Sequence, residues 1–460
     1  MDDSIDPKRK VFYRALVFLV AIAIAMLFAA LYHRNPSPEY ELKTDDALNR
    51  FCPQVLRKDV VILGVDSADV QKYGSVKMWP RTLLAQGVDK VEAEAPKLIV
   101  MDLALNARTN TGDASLWHTV ANRKNIVFGM AYNADRPQHY TNDDIRSLTF
   151  LEKFALANNL TLSSASDKFT WSDFEPPVSD FTGSARGVGV FVRETDPDGI
   201  VRNARLFYNS TVAYPQTSSA PHGKFPVSQL SDGAPVALLN LAMIATMGAA
   251  DVGKEYVRAT SGGTVGIAGN LSPRLDAPVD VQGRMLLRFV GPAGTIPRVS
   301  FSDLMSGKIP ADYLKDKIVV IGATATNDPA TDAEFTAYRD TPMPRSEVTA
   351  NAITTLLNRS YVTRNEEKLP GIMITIGLVV GLTLMLFGGL RLTIASIVLL
   401  SAYLALCYFL FSSGHMLLPI VGPIVTIVVT WLIGLVASLG AFRTPTITAS
   451  PTYVDPTVPE

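Results

Sequence analysis

The sequence predicts an α/β fold, a layered domain with a mixed or parallel sheet held outside the cytoplasm, together with a four-helix transmembrane region. Three observations predict it. One apolar run lies near the N-terminus and three lie together near the C-terminus. Between them, short β-branched runs alternate with stretches of helical periodicity. Those β-branched runs are apolar almost without interruption, as strands covered on both faces must be. Bulk charge adds no further class: Lys plus Arg number 42 and Asp plus Glu 43, which points to no nucleic acid and no acidic partner.

At the N-terminus, residues 1–10 carry Lys8, Arg9 and Lys10, and residues 11–32 form an apolar run that a helix of about 20 residues would carry across a bilayer. A signal peptide is the alternative. The run is longer than the roughly 7–15 residues of a signal peptide's apolar region, however, and Tyr32-His33-Arg34 is a poor cleavage site. It therefore reads as an anchor, with the basic cluster in the cytoplasm and the next segment sent outward. Residues 33–369 make that outer domain. Residues 372–390, 392–411 and 417–442 are three further spans, and 443–460 a short disordered cytoplasmic tail rich in Thr and Pro. Each short inner segment of this topology holds a basic residue, Arg391 or Arg443, whereas the short outer one holds His415. Cys52 outside and Cys407 within a span cannot bridge in this topology, so Cys52 reads as a packed free thiol, with an intermolecular disulfide as the alternative.

Within the outer domain, Asp59–Asp66 (DVVILGVD), Lys97–Leu105 (KLIVMDLAL) and Asn125–Ala131 read as buried strands, separated by helices over Arg81–Glu94 and Asp113–Lys124. This alternation implies a parallel sheet with helices on both faces. Phe150–Asp180 is polar and reads as an irregular insertion. Gly187–Val192 and Val201–Tyr208 flank Asp196-Pro197-Asp198-Gly199 and read as a hairpin; Val236–Met247 reads as a helix; Thr264–Ala268 and Gly283–Val290 read as a second antiparallel pair. The first rhythm then returns with a short helix from Ser302, a strand over Lys317–Ala323 and a helix over Arg345–Leu357.

This order of segments (VVILGVD, Trp79-Pro80-Arg81 opening a helix, KLIVMDLAL, DPDGIVR, FSDLMSG, KIVVIGAT and EVTANAITTLL) resembles the second type of CHASE sensory domain. The resemblance covers the chain from about Lys10 to Phe442. It implies the sensing half of a bacterial transmembrane receptor, multi-pass in the inner membrane, with the large domain in the periplasm or extracellular space. Relatives of this kind usually continue into an adenylate cyclase, histidine kinase or protein kinase. Here only a short tail comes after Arg443, which departs from that pattern.

Candidate site residues are few. Asp66 and Asp102 end two strands of the expected sheet, where open α/β sheets place ligands, although each can also simply cap the next segment of chain. Trp79 and Arg81 offer an aromatic face beside a guanidinium, suited to an anionic or aromatic ligand, and Pro80 also suits a plain helix start. Arg202 comes just after the Asp196–Gly199 turn and either pairs with it or points into the same cleft. No nucleophile elbow, H-E-x-x-H pair, Walker or G-x-G-x-x-G loop appears, so catalytic and metal residues are read as none, cofactors as none, and the protein as not an enzyme. In the spans, Ala21, Ala25 and Ala29 and the Gly377-x-x-x-Gly381 pair predict close helix packing, and the absence of Asp, Glu and Lys argues against transport.

The function that the resemblance implies, together with the apolar segments, is a membrane-anchored sensor of a small molecule or envelope protein, surrounded by membrane lipid and signalling through a separate protein partner or as a homo-oligomer. The alternatives are a structural or scaffold protein of the envelope and the sensing portion of a longer cyclase or kinase receptor. The topology is tested by reporter fusions at Thr111, Arg391 and Glu460: an outer signal is expected from the first and cytoplasmic signals from the other two. A cytoplasmic signal at Thr111 or an outer one at Glu460 would reject it.

Overall fold

The computed structural model describes residues 7–35, 38–109, 112–135, 140–157, 160, 168–192, 194–213, 230–231, 233–260, 263–267, 274–325, 328, 331–364, 368–387, 389–413 and 416–441. The expectations for His415, Arg443, the tail 443–460 and residues 158–159 and 161–167 of the insertion lie outside the described residues. In chain order the helices are α1 (Pro7–Arg34), α2 (Glu39–Phe51), α3 (Ser67–Tyr73), α4 (Arg81–Ala93), α5 (Asp113–Ala121), α6 (Asn142–Leu151), α7 (Ser179–Ser184), α8 (Leu241–Ala250), α9 (Phe301–Met305), α10 (Arg345–Asn358), α11 (Leu369–Leu384), α12 (Gly389–Ser412) and α13 (Val421–Ala441). The strands are β1 (Val60–Val65), β2 (Leu98–Asp102), β3 (Ile126–Tyr132), β4 (Lys168–Thr170), β5 (Phe174–Glu175), β6 (Gly187–Val190), β7 (Ile200–Val201), β8 (Asn203–Arg205), β9 (Phe207–Thr211), β10 (Pro235–Leu239), β11 (Val257–Thr260), β12 (Thr264–Ile267), β13 (Leu275–Pro278), β14 (Arg284–Leu286), β15 (Arg298–Ser300), β16 (Ile318–Ala323), β17 (Ala333–Thr336) and β18 (Met343–Pro344).

The chain divides into two compact units. Residues 1–44, 365–409 and 418–460 form one, and residues 45–364 with 410–417 form the other. In the larger unit, the main sheet runs β15-β1-β16-β2-β3, with β6 parallel to β3 beyond it and β5 antiparallel to the end of β3. All other pairs in that sheet are parallel. The continuous apolar strands explain this burial. Along β1, β2 and β16, Val60, Ile62, Leu98, Val100, Ile318 and Val320 enter one core, which α8 and α10 complete. Their neighbours Val61, Leu63, Ile99, Met101, Val319 and Ile321 enter a second core with α4, α5 and α9. The expected three-layer α/β arrangement results from this alternation.

Several expected elements are corrected. Gly187–Val190 does not form a hairpin with Val201–Tyr208; it joins the main sheet, because Gly187 and Gly189 have no Cβ and α8 lies directly against them. The Asp196–Gly199 turn does form, closed by Gly199 N–H to the Asp196 carbonyl at 2.8 Å. Val236–Leu239 is a strand rather than the start of a helix, since Asn240 stops it and caps α8 by accepting from Met243 N–H at 2.8 Å. Strand β12 pairs with β11 and β13, while β14 pairs with β8, so the second expected hairpin does not form. The insertion holds β4, β5 and the start of α7 among its described residues.

In the smaller unit, α1 lies against α11 as the small residues predict. A Cβ on Gly377 would fall 2.2 Å from the Ala25 Cβ, and one on Gly381 would fall 3.3 Å from that of Ala21. Glu41, 3% exposed, accepts from Ile420 N–H at 2.8 Å and Val421 N–H at 2.9 Å, so a carboxylate closes the start of α13. The count of spans is corrected. Among the described residues, only Val11–Arg34 and Leu390–Ser412 are long and apolar enough to cross a membrane. Helix α11 has 16 residues, about 24 Å at 1.5 Å per residue, and turns at Met385 before reaching a bilayer's width. Helix α13 has 21 residues, about 31 Å at the same rise, and its apolar stretch among the residues with described side chains covers Val421–Val436.

The approach of α8 to β6 yields a prediction. A Cβ at Gly189 would stand 2.8 Å from the Asn240 carbonyl carbon and oxygen, backbone that cannot move without shifting α8. Gly189→Ala should destabilise the protein by about 1–3 kcal/mol, read as a lower Tm of the purified full chain.

Candidate ligand-binding site

Because β16, β2, β3 and β6 run parallel, their carboxyl ends share one edge of the sheet, and there the chain leaves a cleft of about 410 Å³. Open α/β sheets place ligands at this edge, and the volume falls in the roughly 300–1,000 Å³ range of small-molecule sites. Asp102 ends β2, Tyr132 ends β3, Phe191 comes directly after β6 and Ala323 ends β16; all line the cleft, as do the first residues of α4 and α10.

Asp102 and Arg345 form the centre of this edge. The Asp102 side chain is fully buried; Arg345 Nε donates to its Oδ1 at 2.7 Å and Thr349 Oγ1 donates to its Oδ2 at 2.6 Å. Arg345 also pairs with Asp332, and its guanidinium lies 3.9 Å from the centre of the Phe191 ring. Phe191 can occupy that place because Gly129 lies beneath it: a Cβ there would stand 1.9 Å from the ring. A second pair closes the far side. Arg205 donates to Glu194 through Nη2 at 2.7 Å and Nε at 3.2 Å, donates through Nη1 to the Gln282 carbonyl at 2.7 Å, and stacks 5.0 Å from the Phe169 ring. Tyr208 lies 4.9 Å from Phe169, its hydroxyl pushed up in pKa by burial and by Glu194.

Arg81 is held differently. Its side chain is buried, yet Nη2 reaches only the Ala107 carbonyl at 3.3 Å, Nε lies 3.5 Å from Asp113, and Nε makes no hydrogen bond. Burial pulls its pKa below the usual value, with Asp113 opposing that pull.

Of the five residues singled out in the sequence, Arg81 and Asp102 line the cleft and the other three do not. Asp66 caps α3, accepting from Ala68 N–H at 2.9 Å and Asp69 N–H at 3.0 Å. Trp79 is 1% exposed; its indole N–H donates to the Gly74 carbonyl at 2.8 Å and its ring lies 4.8 Å from that of Phe301, so no face is left for a ligand. Arg202 is buried in a separate ion network with Asp46, Asp196 and Asp198, at 2.7, 2.9 and 2.8 Å. Burial works against its charge, but these three carboxylates raise its pKa overall. Sequence reasoning missed Glu194, Arg205, Asp332 and Arg345. For Arg345 a signal existed, since Pro344-Arg345 opens a helix as Pro80-Arg81 does. The Arg205–Glu194 pair depends on the turn between them and carries no such mark.

These placements can be measured. Asp66→Ala should cost about 0.5–2 kcal/mol of stability through loss of the cap. Arg202→Met should cost about 3–5 kcal/mol, because Asp196 would lose its close partner and buried Asp46 would keep only Arg339. Asp198 is held below the usual carboxylate pKa by its hydrogen bonds to Arg202, against the pull of burial. A carboxyl lowered on folding stabilises above its unfolded pKa and loses that contribution as pH falls through its folded value. Denaturant titrations should therefore show stability falling on acidification below about pH 4, less steeply in Asp198→Asn.

The CHASE2 domain family model matches residues 19–390, a span that contains the whole cleft and the main sheet. Comparison with curated proteins gives no match. Comparison with solved structures gives none either. With most of its length matched, and with its strands, helices and flanking apolar segments in one continuous order across that match, the chain belongs to the CHASE2 domain family of sensory domains.

Proposed function

We propose that this protein is a bacterial inner-membrane sensor whose large domain lies outside the cytoplasm and binds a small molecule in the cleft at the strand ends. The observation that carries the reading is the cleft itself, at the position where parallel sheets take ligands and lined by charged and aromatic side chains in a fixed arrangement. Family membership supports the sensory part. Two apolar helices of spanning length support the membrane part, as do the exposed apolar side chains Ile394, Ile397 and Val398 along α12, which suit a lipid surrounding.

Binding rather than catalysis suits the acids of the cleft. Asp102 is held by Arg345 and Thr349, Glu194 by Arg205, and Asp332 by Arg345, so each is engaged in orienting a guanidinium and none is placed as a general base. A ligand would act by favouring one arrangement of these ion pairs over another.

The test is a small-molecule screen by thermal shift on the purified full chain, run beside Ala104→Trp. Ala104 is exposed and lines the cleft, so an indole there should fill it. Compounds that raise the Tm of the parent should leave that of Ala104→Trp unchanged. Equal shifts in both proteins would reject the cleft as the site.

A further inference from the structure

The cations that line the cleft are not equally satisfied. Arg205 holds a bidentate carboxylate and a carbonyl, and Arg345 holds two carboxylates, each with at least one contact of 2.7 Å. Arg81 is 5% exposed and has only the 3.3 Å and 3.5 Å contacts, with Nε making no hydrogen bond. Its nearest acid is drawn elsewhere, since Asp113 accepts from Thr109 N–H at 2.8 Å and from its hydroxyl at 2.9 Å. A buried guanidinium left this loosely bound is costly unless a further acceptor completes it.

A second observation concerns the backbone at the same place. Helices α4 and α10, of 13 and 14 residues, both begin in the cleft lining. Both have proline as N-cap, Pro80 and Pro344, and neither start is closed by a side-chain cap. Of their first-turn N–H groups, that of Arg345 already donates to the Asp332 carbonyl at 2.7 Å and that of Leu83 to the Pro80 carbonyl at 2.9 Å, but the dipole of each helix still favours a negative charge beside Arg81 and Arg345. The charge of that group is bounded by its surroundings. Among the groups that line the cleft, Lys77, Arg81, Arg205 and Arg345 stand against Asp102, Glu194 and Asp332, one positive charge in excess, and Asp113, 3.5 Å from Arg81 Nε outside that lining, offsets it only in part. A single negative charge completes Arg81; a dianion would meet repulsion from these carboxylates. The rest of the lining includes Tyr132, Phe169, Phe191 and Tyr208, which favour a flat apolar body.

Resting on the cleft reading above, we infer that the ligand is a small aromatic monocarboxylate whose carboxylate is held by the Arg81 guanidinium at the start of α4. The planar fork of arginine donates to the two oxygens together, and the aromatic body lies among the rings of the cleft.

The experiment uses the full chain in lipid nanodiscs and isothermal titration with three probes of similar shape: benzoate, benzamide and phenyl phosphate. Benzoate should bind at least about tenfold more tightly than either of the others, as expected for a charge-assisted pair of hydrogen bonds. Arg81→Gln should weaken benzoate about tenfold or more and leave benzamide unchanged. Should Arg81→Gln lose the folding transition of the parent, Arg81→Lys replaces it, and an equal loss is expected because the ammonium has no fork. Phenyl phosphate binding more tightly than benzoate, or an Arg81 variant binding benzoate as the parent does, overturns the inference. Equal binding of benzoate and benzamide, with both lost in Ala104→Trp, overturns the carboxylate and leaves the cleft reading standing. No binding of any probe overturns the inference and leaves the cleft reading to the thermal-shift screen, whereas binding that Ala104→Trp does not affect overturns both.

Discussion

Asp102 is a fully buried carboxylate at the end of a central strand, and its pairing with Arg345 organises the edge of the sheet around it. A buried charge without a partner would cost several kcal/mol, roughly 3–5 when one member of such a pair is removed. Satisfying Asp102 therefore constrains the chain widely. Arg345 is the first residue of α10, so the pair sets where that helix begins relative to β2. Through Asp332 it holds the segment before β17, and through Phe191 the segment after β6. Gly129 makes the last of these contacts possible, because any side chain there would occupy the space of the ring. The cleft is thus bounded by groups already committed to one another, which is the preorganisation that a selective site requires.

The parts of the fold legible in the sequence are those whose burial is complete. Strands β1, β2, β3 and β16 are buried on both faces, so their apolar runs are continuous and their ends marked by Asp59, Asp66, Lys97 and Lys317. Pairings between distant short strands left no such trace. Strand β8 has three residues and finds its partner β14 about eighty positions later, a choice made by tertiary packing alone. Val236–Leu239 was ambiguous for a different reason. It is a short apolar run continuous with α8, and only the capping role of Asn240 separates strand from helix. The glycines of Gly187–Val190 suggested a turn-rich hairpin, whereas they serve the approach of α8 to a central strand.

The site was legible in part for the same physical reasons. Asp102 and Arg81 stand at a strand end and a helix start, positions that a parallel sheet brings to one edge. Asp66 stands at the next strand end but one, and its short carboxylate is used up by the backbone of α3. Sequence position could not separate the two aspartates; the difference lies in what each meets across the sheet, Thr349 and Arg345 in one case and two amides in the other. Trp79 was attractive for its aromatic face, but a tryptophan between Tyr73 and Phe301 is worth more to the core than to a ligand.

One stretch of chain joins the cleft to the second ion network of the domain. Glu194 holds Arg205 in the cleft, and two and four residues later Asp196 and Asp198 hold Arg202, which also grips Asp46. Arg339 adds to the same network, donating to Asp46 Oδ2 at 2.6 Å and to Asp198 at 3.4 Å. The turn between these acids is tight, closed by hydrogen bonds between Asp196 and both Gly199 and Ile200. Every carboxylate in the network has a buried or half-buried guanidinium as partner, and partial separation leaves charges unmatched in a poorly solvated place. A group that draws Arg205 from Glu194 therefore acts on a turn whose other end is fixed by Asp46.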